Sequence, residues 1–133
     1  MPALDTNVLV RFLVQDDAVQ GAAATRLIQG AVSSGSALFV PVTVLLELEW
    51  VLRSAFGFDK PAVMQAMFGL LGSFELGVES EGAVEAALWH YSQHSADFAD
   101  CLHAALAGQA GEQPLWTFDR AAAKLPGAGL LGV

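Results

Sequence analysis

Hydrophobic and polar residues alternate along this chain in blocks that predict helices separated by short strands. Apolar residues recur at a helical spacing in six segments, at about residues 8–14, 17–32, 43–55, 60–71, 80–94 and 97–107. Short apolar runs predict strands at residues 2–4, 37–40, 74–78 and 115–117, with residues 129–133 as a candidate fifth strand. Strands that alternate with helices favour right-handed crossovers. We therefore expect an α/β fold, a three-layer α/β/α sandwich around a central parallel sheet of four to five strands.

Polar residues that commonly cap helices stand at several of the expected helix starts. Thr43 and Asp59 precede the two middle helices, and Ser80 and Asp97 precede the two later ones. Asp119 follows the strand at residues 115–117 and is expected to open a short helix. These residues predict where the helices begin.

Four acidic residues follow or interrupt apolar segments, where a carboxylate is costly unless something compensates it. They are Asp5, Glu47, Asp100 and Asp119. Ligands of open α/β sheets bind beyond the carboxyl ends of the strands, where Asp5 and Asp119 fall. Like charges held in one cleft repel each other, and a hard divalent cation is the usual compensation. The spacing therefore predicts a metal-dependent active site.

Helix capping is the alternative explanation for most of these acids. Asp5, Asp97 and Asp119 could each supply an acceptor to the first N–H groups of a helix, and Asp97 could share that role with Asp100. Glu47 is different, because it lies a turn inside its helix, on or beside the apolar face.

Glu49 serves as an internal comparison for Glu47. It lies two positions further along the helix, a rotation of about 200°, and four residues before Arg53. We expect Glu49 to be a solvated surface acid and Glu47 to be the metal ligand.

A length of 133 residues predicts a single domain, residues 1–133, of which 54% are hydrophobic and 15% charged. Net charge is −8 with six basic residues, which argues mildly against broad electrostatic attraction to nucleic acid. The large apolar fraction favours a homodimer, whose interface would cover part of it. The single cysteine, Cys101, is expected to be buried. Without a signal peptide or a membrane span in the sequence, the expected location is the cytoplasm.

Four short motifs occur in order along nearly the whole chain. They are Leu4-Asp5-Thr6-Asn7-Val8; Pro41 with Glu47-Leu48 and Trp50-Val51-Leu52; Asp97-Phe98-Ala99-Asp100; and Thr117-Phe118-Asp119-Arg120. In this order they resemble the acidic motifs of PIN-domain proteins, and within that family the VapC-type toxins of bacterial toxin–antitoxin pairs. The resemblance implies a Mg²⁺- or Mn²⁺-dependent endoribonuclease, usually a homodimer, that a cognate antitoxin protein holds inactive.

The resemblance also implies roles for individual acids. Asp5, Glu47 and Asp100 match the metal-site acids of the family, and Asp119 matches the fourth. Asp97 lies at a position that many relatives also make acidic, and it is either a metal ligand or a helix cap.

Supporting roles follow from the same resemblance. Thr6 or Thr117 would orient a carboxylate or a metal-bound water, and Asn7 would steady the loop of Asp5. The chain departs from the family pattern at His103, which occupies a position that is often apolar, and in its scarcity of basic residues.

Arg11 and Arg120 are candidates for contact with a phosphate of the RNA substrate. Arg120 could equally pair with the neighbouring Asp119, and Arg11 could equally be an ordinary surface residue. An antitoxin with an apolar and basic C-terminal part would suit an acidic cleft flanked by apolar helices.

Two other functions fit parts of the sequence. An aspartate-nucleophile phosphohydrolase also begins with an acid after its first strand, but it needs a second acid two positions later, where this chain has Asn7. A non-catalytic PIN-like binding module would be expected to have lost some of the four acids.

Overall fold

The computed structural model describes residues 1–132 and divides the chain into two compact units, Met1–Glu79 and a second unit that begins at Ser80. The described residues form six α-helices, one short 3-10 helix and four three-residue strands. The chain is thus an α/β protein, as predicted. Val133, at the end of the candidate fifth strand, lies outside the described residues.

The first unit contains four helices and two strands. In chain order they are α1 (Thr6–Val14), α2 (Ala18–Ser34), β1 (Leu38–Val40), α3 (Val42–Ser54), α4 (Lys60–Leu71) and β2 (Leu76–Val78). Helix α1 packs on α2 and α3, and α3 packs on α4. The buried core is aliphatic, with Leu9, Leu45, Leu48, Leu52, Val63 and Met67 among its members.

Strand β1 lies between two parallel neighbours. It pairs with β2 in the register Leu38↔Leu76 to Val40↔Val78. On its other side, Ala3 forms a single parallel bridge to Phe39, and the Leu4 amide donates to the Phe39 carbonyl at 2.9 Å. The strand predicted at residues 2–4 is therefore reduced to one bridge beside β1.

The second unit contains two helices, two strands and a short helical turn. They are α5 (Glu81–Gln93), α6 (Phe98–Gln109), β3 (Leu115–Thr117), the 3-10 helix Ala122–Lys124 and β4 (Ala128–Leu130). Helices α5 and α6 pack together, and the Tyr91 and Phe98 rings meet in the core at 5.6 Å between centroids. Strand β4 overlaps the candidate fifth strand predicted at residues 129–133, but it begins one residue earlier and ends at Leu130. It runs parallel to β3.

Helices α4, α5 and α6 begin directly after Asp59, Ser80 and Asp97, as predicted, but of these three side chains only Asp59 makes a capping hydrogen bond. The Asp59 carboxylate accepts from the Ala62 amide at 2.9 Å, and α4 spans the predicted residues 60–71. The cap predicted at Thr43 is wrong, because α3 begins at Val42. The Val42 amide donates instead to the carboxylate of Glu79 at 2.8 Å.

The sheets of the structure are two parallel pairs, β1 with β2 and β3 with β4. The single central sheet of four to five strands and the one-domain boundary at residues 1–133 stay predictions. Within residues 1–132, none of the helices is both long and apolar enough to cross a lipid bilayer.

Candidate functional site

Two candidate acids of the first unit are connected through Thr6. Asp5 follows the segment that bridges to β1 and is exposed, and its Oδ1 accepts from the Thr6 amide at 2.7 Å, which caps α1. The Thr6 side chain is buried, and its hydroxyl donates to Oε1 of Glu47 on α3. A buried hydroxyl thus holds one oxygen of an accessible carboxylate.

Of the two glutamates of α3, Glu49 and not Glu47 lies on the buried face. The buried face of α3 is formed by Leu45, Leu48 and Leu52, so Glu47 lies beside that face and is exposed to solvent. Glu49 lies on the buried face and is only 2% exposed. The expectation of a solvated Glu49 is wrong.

The ion pair expected between Glu49 and Arg53 is present and has two hydrogen bonds. Arg53 Nε donates to Oε2 of Glu49, and Nη2 donates to Oε1 at 3.1 Å. Burial of Glu49 is tolerable because both carboxylate oxygens are matched by the planar guanidinium. Sequence reasoning could have found this residue from the i, i+4 pairing combined with the Leu45, Leu48 and Leu52 spacing.

The acids of the second unit influence one another electrostatically. Asp100 is half-buried on the first turn of α6, and burial raises the pKa of its carboxyl above the ordinary value. The negative charges of Asp119 and Asp97 raise that pKa further, whereas His103 lowers it. Asp100 is therefore surrounded by more negative than positive charge, an arrangement that a cation would relieve.

Asp119 is held at the carboxyl end of β3 by two hydrogen bonds. Its amide donates to Oγ1 of Thr117 at 3.0 Å, and its Oδ1 accepts from the Ala122 amide at 2.8 Å. Asp5 therefore caps α1, and Asp119 accepts in the turn that leads into the 3-10 helix; each of these hydrogen bonds uses one carboxylate oxygen. Asp97 occupies the N-cap position of α6, yet its side chain makes no capping hydrogen bond.

The two candidate phosphate-binding arginines differ in their surroundings. Arg11 pairs with Asp16 at 3.3 Å and donates through Nε to Gln20 at 2.7 Å. Together with Asn7 it lines an open cavity of about 460 Å³ beside α1 and α2. Arg120 is exposed next to Asp119. Of the two, Arg11 has the stronger structural role.

The chemistry of these donors suits the predicted ion. All five candidate ligands supply only oxygen, and Mg²⁺ and Mn²⁺ prefer oxygen ligands while Mg²⁺ retains several waters. Among residues 1–132, no three His, Cys, Asp or Glu side chains are grouped closely enough to hold a metal ion by themselves. The complete ligand set is therefore still a prediction from the sequence.

Comparisons with known proteins cover nearly the whole chain. A family model described as the PIN domain matches residues 3–128, a span that includes every candidate acid. One similar protein is the VapC ribonuclease of Aquifex aeolicus (strain VF5), which is 27% identical over 126 residues. That alignment covers 94% of this chain and 92% of the relative, so the likeness extends across both units.

Proposed function

The chain belongs to the PIN-domain family, and on that premise we propose that it is a metal-dependent endoribonuclease of the VapC type, the toxin of a toxin–antitoxin pair. The contact between Thr6 and Glu47 supports this most strongly. An accessible carboxylate that a buried hydroxyl of a neighbouring helix holds in position is suited to bind a metal ion, and it contributes little to the packing of the core.

In this proposal Asp5, Glu47, Asp100 and Asp119 hold Mg²⁺ or Mn²⁺, with Asp97 as a further ligand. A cation bound there would lower the pKa of a bound water and neutralise charge that develops on the RNA phosphate. The negative charge around Asp100 would attract such an ion.

The chain's own residues contribute orientation. Thr6 fixes one oxygen of Glu47, and the Ala122 amide fixes one oxygen of Asp119. Carboxylates held in this way lose less conformational freedom when they bind an ion, which improves affinity and geometry. Asp5 and Asp119 each retain a second oxygen beyond the one that accepts from a backbone amide.

The RNA substrate must approach a protein whose net charge is −8. Bound cations reduce this repulsion locally. In this proposal Arg120, which is exposed and adjacent to Asp119, would contact a phosphate of the RNA, whereas Arg11 is already engaged by Asp16 and Gln20.

The partners in this proposal are an antitoxin protein and a second copy of the chain, in the cytoplasm. An arginine of the antitoxin could form charge-assisted hydrogen bonds to the acids in place of the metal. The exposed apolar side chains on α3 and α4, such as Trp50 and Phe68, are available for a homodimer interface or for the antitoxin.

Cleavage of single-stranded RNA by the purified protein tests the proposal. We expect cleavage with Mg²⁺ or Mn²⁺, none with excess chelator, and a rate lower by about two orders of magnitude or more in Asp5→Asn. Asp59→Asn is the matched control, because Asp59 is also an exposed N-cap acid and asparagine caps as well as aspartate.

The two variants should have equal stability and very different activity. Cleavage that survives chelation, or an equal loss of activity in Asp5→Asn and Asp59→Asn, would overturn the proposal.

A further inference from the structure

Strand β3 and the residue that follows it expose two large aromatic side chains next to a candidate catalytic acid. Trp116 is 60% exposed and Phe118 is 67% exposed, whereas Leu115 before them and Thr117 between them are half-buried. The alternation is that of a strand with one side turned to solvent. Two exposed aromatic residues separated by a single position form a local apolar patch, and such patches commonly mark binding sites.

Gly129 supports the ring of Trp116 from the neighbouring strand. The two residues are partners in the parallel register of β3 and β4, so they occupy the same side of the pair. A Cβ atom at Gly129 would lie 3.0 and 3.3 Å from two carbons of the Trp116 six-membered ring. The ring therefore lies against the glycine, which gives it a fixed position while most of its surface stays open.

The aromatic pair leads directly into the acids of the second unit. Asp119 follows Phe118, and its position is fixed by Thr117 and by the Ala122 amide. The charge of Asp119 in turn raises the pKa of Asp100. A nucleotide bound on Trp116 or Phe118 would thus lie within a few residues of a candidate catalytic carboxylate.

We propose that Trp116 and Phe118 bind single-stranded RNA by stacking on its bases, beside the acid that ends this strand. This inference rests on the proposed function, which makes RNA the substrate. The composition supports it, because a chain with six basic residues and a net charge of −8 has little electrostatic attraction to offer RNA. Base stacking needs no charge, and every base offers a face to an aromatic ring.

Steady-state kinetics on a single-stranded RNA that the wild-type protein cleaves provide the test. Loss of one stacked base corresponds to a weakening of about 5- to 150-fold. We expect Trp116→Ala to raise KM by a factor in that range and to affect kcat much less. Trp116→Phe, which keeps an aromatic ring, should restore most of the loss.

Two further variants separate stacking from a structural role. Trp89→Ala is the matched control, since Trp89 lies on α5 and is 59% exposed, and it should leave KM unchanged. Gly129→Ala should raise KM less than Trp116→Ala does, because its Cβ would shift the exposed Trp116 ring by only a few tenths of an ångström. An RNA with abasic sites should be bound equally by the wild type and by Trp116→Ala, because it offers no base to stack.

Several results would overturn this inference and leave the proposed function standing. They are a KM that Trp116→Ala leaves unchanged in an active protein, an equal effect of Trp89→Ala, and a penalty that persists on abasic RNA. A change in oligomeric state or in antitoxin affinity, with RNA kinetics intact, would assign the surface to a protein partner and overturn it too. If the wild-type protein cleaves no RNA at all, the proposed function fails first, and this inference fails with it.

Discussion

Glu47 and Glu49, two positions apart on α3, should give opposite phenotypes when their charges are removed. Glu49 is buried and accepts two hydrogen bonds from Arg53, whereas Glu47 is exposed and accepts from Thr6. We expect Glu49→Gln to destabilise the protein and to leave the activity of each folded molecule intact. Glu47→Gln should abolish RNA cleavage and leave stability nearly unchanged.

The size of the Glu49 effect follows from its burial and from its partner. Glutamine keeps one acceptor oxygen but turns an amide group toward the guanidinium of Arg53, so one of the two hydrogen bonds is lost together with the charge. Breaking a fully buried ion pair costs roughly 3–5 kcal/mol, and an exposed pair contributes roughly 0–1 kcal/mol. The Arg53 side chain is 38% exposed and can recover hydration. An intermediate loss of about 2 kcal/mol is therefore expected, with a Tm lower by roughly 6–12 °C for a chain of this length.

Chemical denaturation and RNA cleavage, measured on the same preparations, check both halves of this prediction. The midpoint should shift for Glu49→Gln without a change in the denaturant slope, and cleavage below the transition should match the wild type. The free energy of unfolding of Glu47→Gln should stay within about 1 kcal/mol of the wild-type value, because the carboxylate of Glu47 is exposed. Equal midpoints for the two variants, or lost activity in a fully folded Glu49→Gln, would refute the reasoning.

Three further predictions concern orientation, pH and assembly. Thr6→Val, which removes the hydroxyl that holds Glu47 and keeps the side-chain shape, should lower the cleavage rate by roughly 10- to 100-fold and stability by about 1 kcal/mol, as kinetics and a thermal melt would show. The pKa of Asp100 is raised in the folded state, so the folded protein binds this proton more tightly than the unfolded chain does. The metal-free protein should therefore gain stability as pH falls through the folded-state pKa of Asp100. Asp100→Asn should remove that contribution and raise Tm near neutral pH in the presence of chelator; a Tm lower than that of the wild type would contradict this. Light scattering should give a dimer at micromolar concentration without antitoxin, and a monomer would exclude the proposed homodimer.

Local signals in the sequence predicted the helices well. Asp59 and the apolar periodicity after it define α4 at the residues where it is found, because capping and amphipathic packing involve only neighbouring positions. Strand β3 matches residues 115–117 for a similar reason, since a short apolar run is bounded by Pro114 and Asp119. The predicted strand ends were less accurate where pairing with another strand determines them. The segment around Ala3, for example, forms only a single bridge.

Contacts between distant residues could not be read from the sequence. The start of α3 is set by Glu79, which accepts from the Val42 amide across 37 positions and replaces the cap expected at Thr43. The buried face of the same helix was misassigned because apolar residues surround almost its whole circumference, so that spacing allowed two faces. In the folded protein, tertiary packing buries the face that includes Leu45 and Glu49.

The role of the acids in a single reaction is the central claim of this account, and a double-mutant cycle on RNA cleavage tests it most directly. The cycle compares the wild type, Asp5→Asn, Asp119→Asn and the double variant under saturating Mg²⁺, with folding verified for each protein. If both acids serve the same metal-dependent step, each single substitution should lower the rate by about two orders of magnitude or more, and the double variant should be no slower than the worse single one. A wild-type rate in Asp119→Asn, or losses that multiply in the double variant, would contradict the claim.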